Sequence, residues 1–139
     1  MSFLLDTNVV SEWLKPSPNP GVVAWLASTD EARVFLSVVT LTELRYGIER
    51  MPGGRRQERL GMWLENELPM RFEGRILSID RAVADVCGKL VARSEAVGRT
   101  IEAMDAFIAA TAEVHQLTLV TRNTPHFQPT VKALLNPWT

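Results

Sequence analysis

The chain has 139 residues, 46% of them hydrophobic, and this length suits one compact domain with its own core. No apolar run approaches the roughly 18 to 20 residues that a membrane span requires, and the opening residues MSFLLD do not resemble a secretion signal. A formal net charge of −1 excludes the strongly basic surface of a general nucleic-acid binder. Because Cys87 is the only cysteine, no internal disulfide can form, and we expect a cytoplasmic protein without a membrane partner.

Short apolar segments with strand character recur along the chain, at 3–5, 34–38, 75–79 and 117–121, with a weaker one at 131–135. Helical periodicity fills the intervals, after Pro20 and in stripes at 41–51, 60–68, 83–94 and 104–111. Short strands separated by amphipathic helices predict an α/β fold, with a parallel sheet and helices on both of its faces. In such folds, binding sites form beyond the carboxyl ends of the strands.

Four polar residues are expected at that edge of the sheet. Asp6 ends the first strand, and Glu43 opens the helix after the second. Asp105 opens the helix at 104–115, and Asn123 follows the last clear strand. Each carboxylate also has a simpler explanation, because Asp105 could cap a helix, Glu43 could complete a capping box with Thr40, and Asp6 could start a turn.

The convergence of several carboxylates indicates a metal site. Two carboxylates about 4 Å apart repel each other by roughly 4 kcal/mol at an effective dielectric near 20, and a cation removes that cost. Oxygen ligands suit Mg²⁺ or Mn²⁺ rather than Zn²⁺. We therefore expect one divalent ion, or two, bound by Asp6, Glu43 and Asp105. Such a site would activate water and hydrolyse a phosphodiester bond.

Four segments together resemble PIN-domain ribonucleases, and specifically the VapC-type toxins of type II (VapBC) toxin–antitoxin pairs: LLDTNVVSE (4–12), SVVTLTELRYGIER (37–50), AMDAFIAATAEVHQLTLVTRN (103–123) and NPW (136–138). The resemblance implies a single PIN domain over 1–139, with a three-layer α/β/α fold around a mainly parallel sheet. It also implies a Mg²⁺- or Mn²⁺-dependent RNA endonuclease that a cognate VapB-type antitoxin inhibits. A homodimer, and a larger complex with the antitoxin, are implied as well.

The resemblance further implies roles for individual residues. The family's acidic catalytic and metal-binding positions correspond to Asp6, Glu43 and Asp105, and polar positions around them correspond to Thr7, Asn8 and Thr121. Asn123 stands where many PIN domains carry a fourth acid, and His126 lies where an acid is frequent. Because an asparagine carries no charge, the resemblance supports a first metal position more strongly than a second.

Other residues are candidates for contacts with RNA or with the antitoxin. A run of arginines could bind phosphates, contact the antitoxin or form a solvated helix face: Arg45, Arg50, Arg55, Arg56 and Arg59. Trp13 and Trp63 are candidates for exposed apolar contacts with either partner.

Two other functions are consistent with parts of the sequence. The neutral Asn123 is compatible with a catalytically weak or inactive PIN-like binding module. The segment LLDTN superficially resembles the start of a haloacid-dehalogenase-type phosphatase site. That class typically has a second aspartate two positions after the first, where this chain has Asn8.

Overall fold

A five-stranded parallel sheet forms the centre of the protein in the computed structural model, which describes residues 1–139. The strands are β1 (Phe3–Leu5), β2 (Val34–Ser37), β3 (Ile76–Leu77), β4 (Thr118–Val120) and β5 (Leu134–Leu135). Their spatial order is β3-β2-β1-β4-β5, and every adjacent pair is parallel. The predicted α/β fold with a central parallel sheet is confirmed.

Eight α-helices connect and flank the strands: α1 (Thr7–Trp13), α2 (Pro20–Ser28), α3 (Val38–Glu49), α4 (Arg55–Met62), α5 (Leu68–Arg71), α6 (Arg81–Ala96), α7 (Ala103–His115) and α8 (Thr124–Phe127). A π-helical turn at Trp63–Glu67 joins α4 to α5, and a short 3-10 helix at Glu31–Arg33 precedes β2. None of these helices has both the length and the apolar character needed to cross a membrane.

The sheet separates two hydrophobic clusters, because successive side chains of a strand point to opposite faces. On one face, Leu4 and Leu119 pack with residues of α6 and α7, and the buried Cys87 lies in this cluster. On the other face, Leu5 and Val120 pack with residues of α1, α2 and α3. Each cluster is therefore covered by its own helices, which gives three layers.

The structure moves the start of α3 relative to the sequence prediction. The predicted strand at 34–38 ends at Ser37, whose side chain accepts a hydrogen bond from the Val39 amide at 3.0 Å and so caps the helix. Glu43 therefore lies in the second turn of α3 and does not open the helix. The proposed capping box of Thr40 with Glu43 is wrong for the same reason. The strands predicted at 75–79, 117–121 and 131–135 are likewise two to three residues shorter.

Candidate active site

A cavity of about 380 Å³ lies beyond the carboxyl ends of β1 and β4, where α1, α3 and α7 begin. Eleven residues line it: Asp6, Thr7, Asn8, Ser11, Glu12, Lys15, Glu43, Asp105, Arg122, Asn123 and Trp138. The fold thus brings together the four residues expected at the sheet edge, although they are spread over more than a hundred positions of the chain. The predicted polar neighbours Thr7 and Asn8 also line the cavity, and Thr121 supports it from the buried side.

Asp6 is the most deeply buried of the three predicted metal ligands, with 6% of its surface exposed. Its carboxylate accepts hydrogen bonds from the Thr7 amide at 2.8 Å, from the Thr121 hydroxyl at 2.8 Å and from the Asn8 side-chain amide at 3.3 Å. Burial nevertheless raises the pKa of Asp6 above its ordinary value, and the negative charges of Asp105 and Glu43 also raise it. The three carboxylates are therefore electrostatically coupled.

The other two carboxylates are each held by a neighbouring side chain. The Thr7 hydroxyl donates to Glu43 Oε1 at 2.6 Å, and His126 Nε2 lies 3.0 Å from Asp105 Oδ2. Asp105 lies in the first turn of α7 but does not cap it, because Glu102 is the N-cap residue. In this arrangement no group of three or more His, Cys, Asp or Glu side chains is close enough together to hold a metal ion.

Polar contacts also join the ends of β1 and β4. The Thr121 hydroxyl accepts hydrogen bonds from the Asn123 amide at 3.0 Å and from the Asn8 side-chain amide at 3.3 Å. Asn8 Oδ1 accepts a longer bond from the Arg122 amide at 3.4 Å. Asn123 is the N-cap residue of α8, but its side chain makes no capping hydrogen bond. Asn123 is also one of the residues that line the cavity.

Five of the residues that line the cavity were not predicted as site residues from the sequence: Ser11, Glu12, Lys15, Arg122 and Trp138. Glu12 is buried, and it accepts hydrogen bonds from Lys15 Nζ and from the Asn19 amide, each at 2.8 Å. These hydrogen bonds lower the pKa of Glu12 below its ordinary value. The spacing of Asn8, Ser11 and Glu12 places them on one face of α1, and Lys15 follows just beyond the end of the helix. This run of polar residues is the signal that could have identified Ser11, Glu12 and Lys15.

The predicted arginine patch lies outside the cavity. None of Arg45, Arg50, Arg55, Arg56 and Arg59 lines it. Arg45 forms ion pairs with Glu49 at 3.5 Å and Glu65 at 3.1 Å, and the Arg50 guanidinium lies over the Tyr46 ring. The other three arginines are exposed on α4. Any contact of these arginines with RNA would therefore lie away from the carboxylates.

Trp13 and Trp63 are partly buried rather than exposed, because both pack against the hydrophobic cluster on the α1 side of the sheet. Their rings meet edge to face, with centroids 6.4 Å apart. The Arg71 guanidinium lies 4.4 Å from the centroid of the Trp13 ring. The pair thus supports the core while leaving part of each ring at the surface.

A model of the PIN domain family matches residues 3–128, which is most of the chain. The chain belongs to the PIN domain family. Among curated relatives, it is 43% identical to "Toxin FitB" of Neisseria gonorrhoeae over 135 residues, which cover 97% of each chain. It is 36% identical to "VapC ribonuclease Y4jK" of Sinorhizobium fredii over 135 residues, 97% of this chain and 96% of the relative.

Solved structures agree with this assignment. The crystal structure of FitAcB from Neisseria gonorrhoeae superposes with a TM-score of 0.92 at 43% identity, over 98% of each chain. A toxin–antitoxin complex from Klebsiella pneumoniae superposes with a TM-score of 0.72 at 25% identity, over 99% of this chain and 98% of that one. The resemblance to PIN-domain toxins is confirmed, and family membership disfavours the alternative of a haloacid-dehalogenase-type phosphatase.

Proposed function

We propose that this protein is a Mg²⁺- or Mn²⁺-dependent RNA endonuclease, the toxin of a toxin–antitoxin pair. The observation that carries the proposal is the meeting of Asp6, Glu43 and Asp105 in one polar cavity of a PIN domain. Relatives named as a toxin and as a ribonuclease support it.

The chemistry of these side chains fits a hard divalent cation. They offer only carboxylate oxygens. Burial raises the pKa of Asp6 and the negative charges of Asp105 and Glu43 raise it further, so a cation would relieve their repulsion. Glu43 is held by Thr7 and Asp105 faces His126. We propose that these two carboxylates exchange such contacts for the ion when it binds. Asn123 adds an amide oxygen without charge, so we propose one principal ion.

When bound, the ion would lower the pKa of a water molecule and offset negative charge on the phosphodiester. The chain's own residues orient the carboxylates for that task. The Thr121 hydroxyl and the Thr7 amide fix both oxygens of Asp6. Before the ion binds, the Thr7 hydroxyl holds Glu43, so Thr7 positions two of the three carboxylates in the metal-free protein.

We further propose that a cognate VapB-type antitoxin inhibits the protein in the cytoplasm, where its RNA substrate is found. The toxin name of one relative and the toxin–antitoxin complex of one structural neighbour support this partner. We propose that it contacts Trp13, Trp63 and Arg71, beside a cavity of about 220 Å³. A homodimer, and its assembly with the antitoxin, are also part of the proposal.

The test is cleavage of labelled RNA by antitoxin-free protein in Mg²⁺ or Mn²⁺, with a chelator as control. We expect Glu43→Gln and Asp105→Asn to lose metal-dependent cleavage. Glu113→Gln should retain it, because Glu113 lines a different cavity. Cleavage by both variants at the wild-type rate would refute the proposed site. Metal binding without cleavage of any RNA tested would favour a non-catalytic binding module.

A further inference from the structure

We propose that Lys15, Arg122 and Trp138 form a subsite that binds one nucleotide of the RNA strand, next to the proposed scissile phosphate. The inference rests on the proposed nuclease function and adds residues that recognise the substrate. These three side chains are the cationic and aromatic ones among the residues that line the cavity.

Charge is distributed unevenly around the cavity. Asp6, Glu43 and Asp105 are the proposed metal ligands, whereas Lys15 and Arg122 are the only cations among the lining residues. An RNA strand that enters the cavity brings a phosphate on each side of the one to be cut. Cationic side chains are the usual partners of such phosphates. Lys15 and Arg122 are both exposed and therefore accessible to a flanking phosphate.

Glu12 forms an ion pair with Lys15, which offsets part of the positive charge of the lysine and fixes the position of its ammonium group. One oxygen of the Glu12 carboxylate accepts from Lys15 Nζ and the other from the Asn19 amide. The lysine side chain is nevertheless 56% exposed, so the buried Glu12 holds its ammonium group at the cavity wall. An ammonium group has three N–H donors, so Lys15 can bind Glu12 and a phosphate together.

Trp138 supplies the one aromatic ring of the wall. It is partly buried, and the Arg122 guanidinium lies 5.7 Å from its ring centroid. Single-stranded nucleic acids are commonly bound by this combination of an aromatic ring, on which a base stacks, and a neighbouring cation that contacts the backbone. Trp138 would therefore bind the base and Arg122 the phosphate of the same nucleotide.

Hydrogen bonds made by the side chains of Asn8 and Asn136 connect the subsite to the carboxylates. The Arg122 amide donates to Asn8, whose side chain also donates to Asp6. The Asn136 side chain donates to the Arg122 carbonyl at 3.5 Å and accepts from the Trp138 amide at 3.0 Å. Asn136 thus joins the backbones of Arg122 and Trp138, and Asn8 joins the backbone of Arg122 to Asp6.

The experiment is single-turnover cleavage of a short fluorescent oligoribonucleotide that the wild type cleaves. It yields the half-saturating protein concentration and the maximal rate. Trp138→Leu keeps an apolar side chain against the core but removes the stacking plane. We expect it to raise the half-saturating concentration about tenfold, while the maximal rate changes less than about twofold. Trp138→Phe should restore most of the affinity.

Two variants test the cations against a matched control. Lys15→Ala and Arg122→Ala should each weaken RNA binding and reduce the salt dependence of log affinity by about one phosphate contact. Lys132→Ala removes the same charge from a residue that lines a different cavity, and we expect no effect. Equal losses in all three variants would show that only net charge matters and would overturn the subsite.

An abasic nucleotide, moved stepwise along the oligonucleotide, locates the stacked base. With the abasic nucleotide at one position next to the cut, the RNA affinity of the wild type should fall by the same factor as the Trp138→Leu substitution lowers it on intact RNA. The Trp138→Leu protein should lose no further affinity with this abasic substrate. Wild-type affinity in Trp138→Leu, with cleavage intact, would refute the subsite and leave the proposed function standing. If the wild type neither binds nor cleaves RNA, the proposed function and the subsite are both wrong. If Lys15→Ala, Arg122→Ala and Trp138→Leu lower only the affinity for the antitoxin, this surface binds the antitoxin and the subsite is wrong.

Discussion

Substituting Gly21 by alanine should destabilise the protein, although glycine-to-alanine changes in helices usually stabilise. Gly21 is the second residue of α2, and the end of the chain passes directly over it. A Cβ atom at this position would lie 2.3 Å from the Pro137 carbonyl oxygen and 2.9 Å from the Thr139 amide nitrogen. Both are backbone atoms, so the terminal segment 136–139 must move.

The magnitude follows from the contacts that hold this segment. Asn19 Nδ2 donates to the Thr139 carbonyl at 3.1 Å, and Asn19 Oδ1 accepts from the Thr139 amide at 3.1 Å. Each such hydrogen bond contributes about 0.5–1.5 kcal/mol, so losing both costs about 1–3 kcal/mol. The higher helix propensity of alanine offsets at most about 1 kcal/mol of this loss. Subtracting that gain from the middle of the range of losses, we expect the free energy of unfolding to fall by about 1 kcal/mol.

Urea denaturation of Gly21→Ala and Gly88→Ala measures how far each substitution changes the free energy of unfolding from that of the wild type. Gly88 lies inside α6, and nothing is within 4 Å of its Cβ position, so that variant should gain about 0.5–1 kcal/mol. Gly21→Ala should also weaken RNA binding, because the displaced segment carries Trp138. Stabilisation of both variants by the same amount would show that the terminal segment is not packed on α2 as described.

Three further predictions concern the polar residues of the site. In chelator, the stability of the wild type relative to Asp6→Asn should fall in thermal melts as pH rises from 3.8, the ordinary pKa of Asp6, to its higher folded value. Glu12→Gln should be less stable than the wild type above pH 4.5, and the difference should shrink as pH falls through the lowered folded pKa of Glu12. Thr121→Val should cost about 1–3 kcal/mol in urea denaturation, because the buried Asp6 carboxylate loses a donor. Thr111→Val, which removes only a bond to a helix carbonyl, should cost less than about 1 kcal/mol, and equal losses would contradict the role of Thr121.

The sequence was sufficient to predict the sheet and its functional edge. Each strand is a short apolar run bounded by polar or turn residues, and parallel strands bring their carboxyl ends to one edge. The prediction that Asp6, Glu43, Asp105 and Asn123 would meet therefore needed only the fold class. Glu43 was misplaced within α3, because the capping hydrogen bond of Ser37 ends β2 earlier than the apolar pattern indicates.

Arg122 and Trp138 line the cavity through contacts that no periodicity reveals. Trp138 reaches the site only because the terminal segment folds back over Gly21. Arg122 reaches it because polar bonds from Asn8 and Asn136 hold its backbone. Trp13 and Trp63 were expected to be exposed, but each ring packs on the other and on the core, a pairing of residues fifty positions apart.

The most direct test of the nuclease account is the rate of RNA cleavage as a function of Mn²⁺ concentration, for antitoxin-free wild type and Asp6→Ala. We predict that wild-type cleavage saturates with the metal and stops in chelator, and that the folded Asp6→Ala protein does not cleave at any metal concentration. Cleavage by the variant at the wild-type rate, or wild-type cleavage that persists in chelator, would contradict a metal-dependent site built on Asp6.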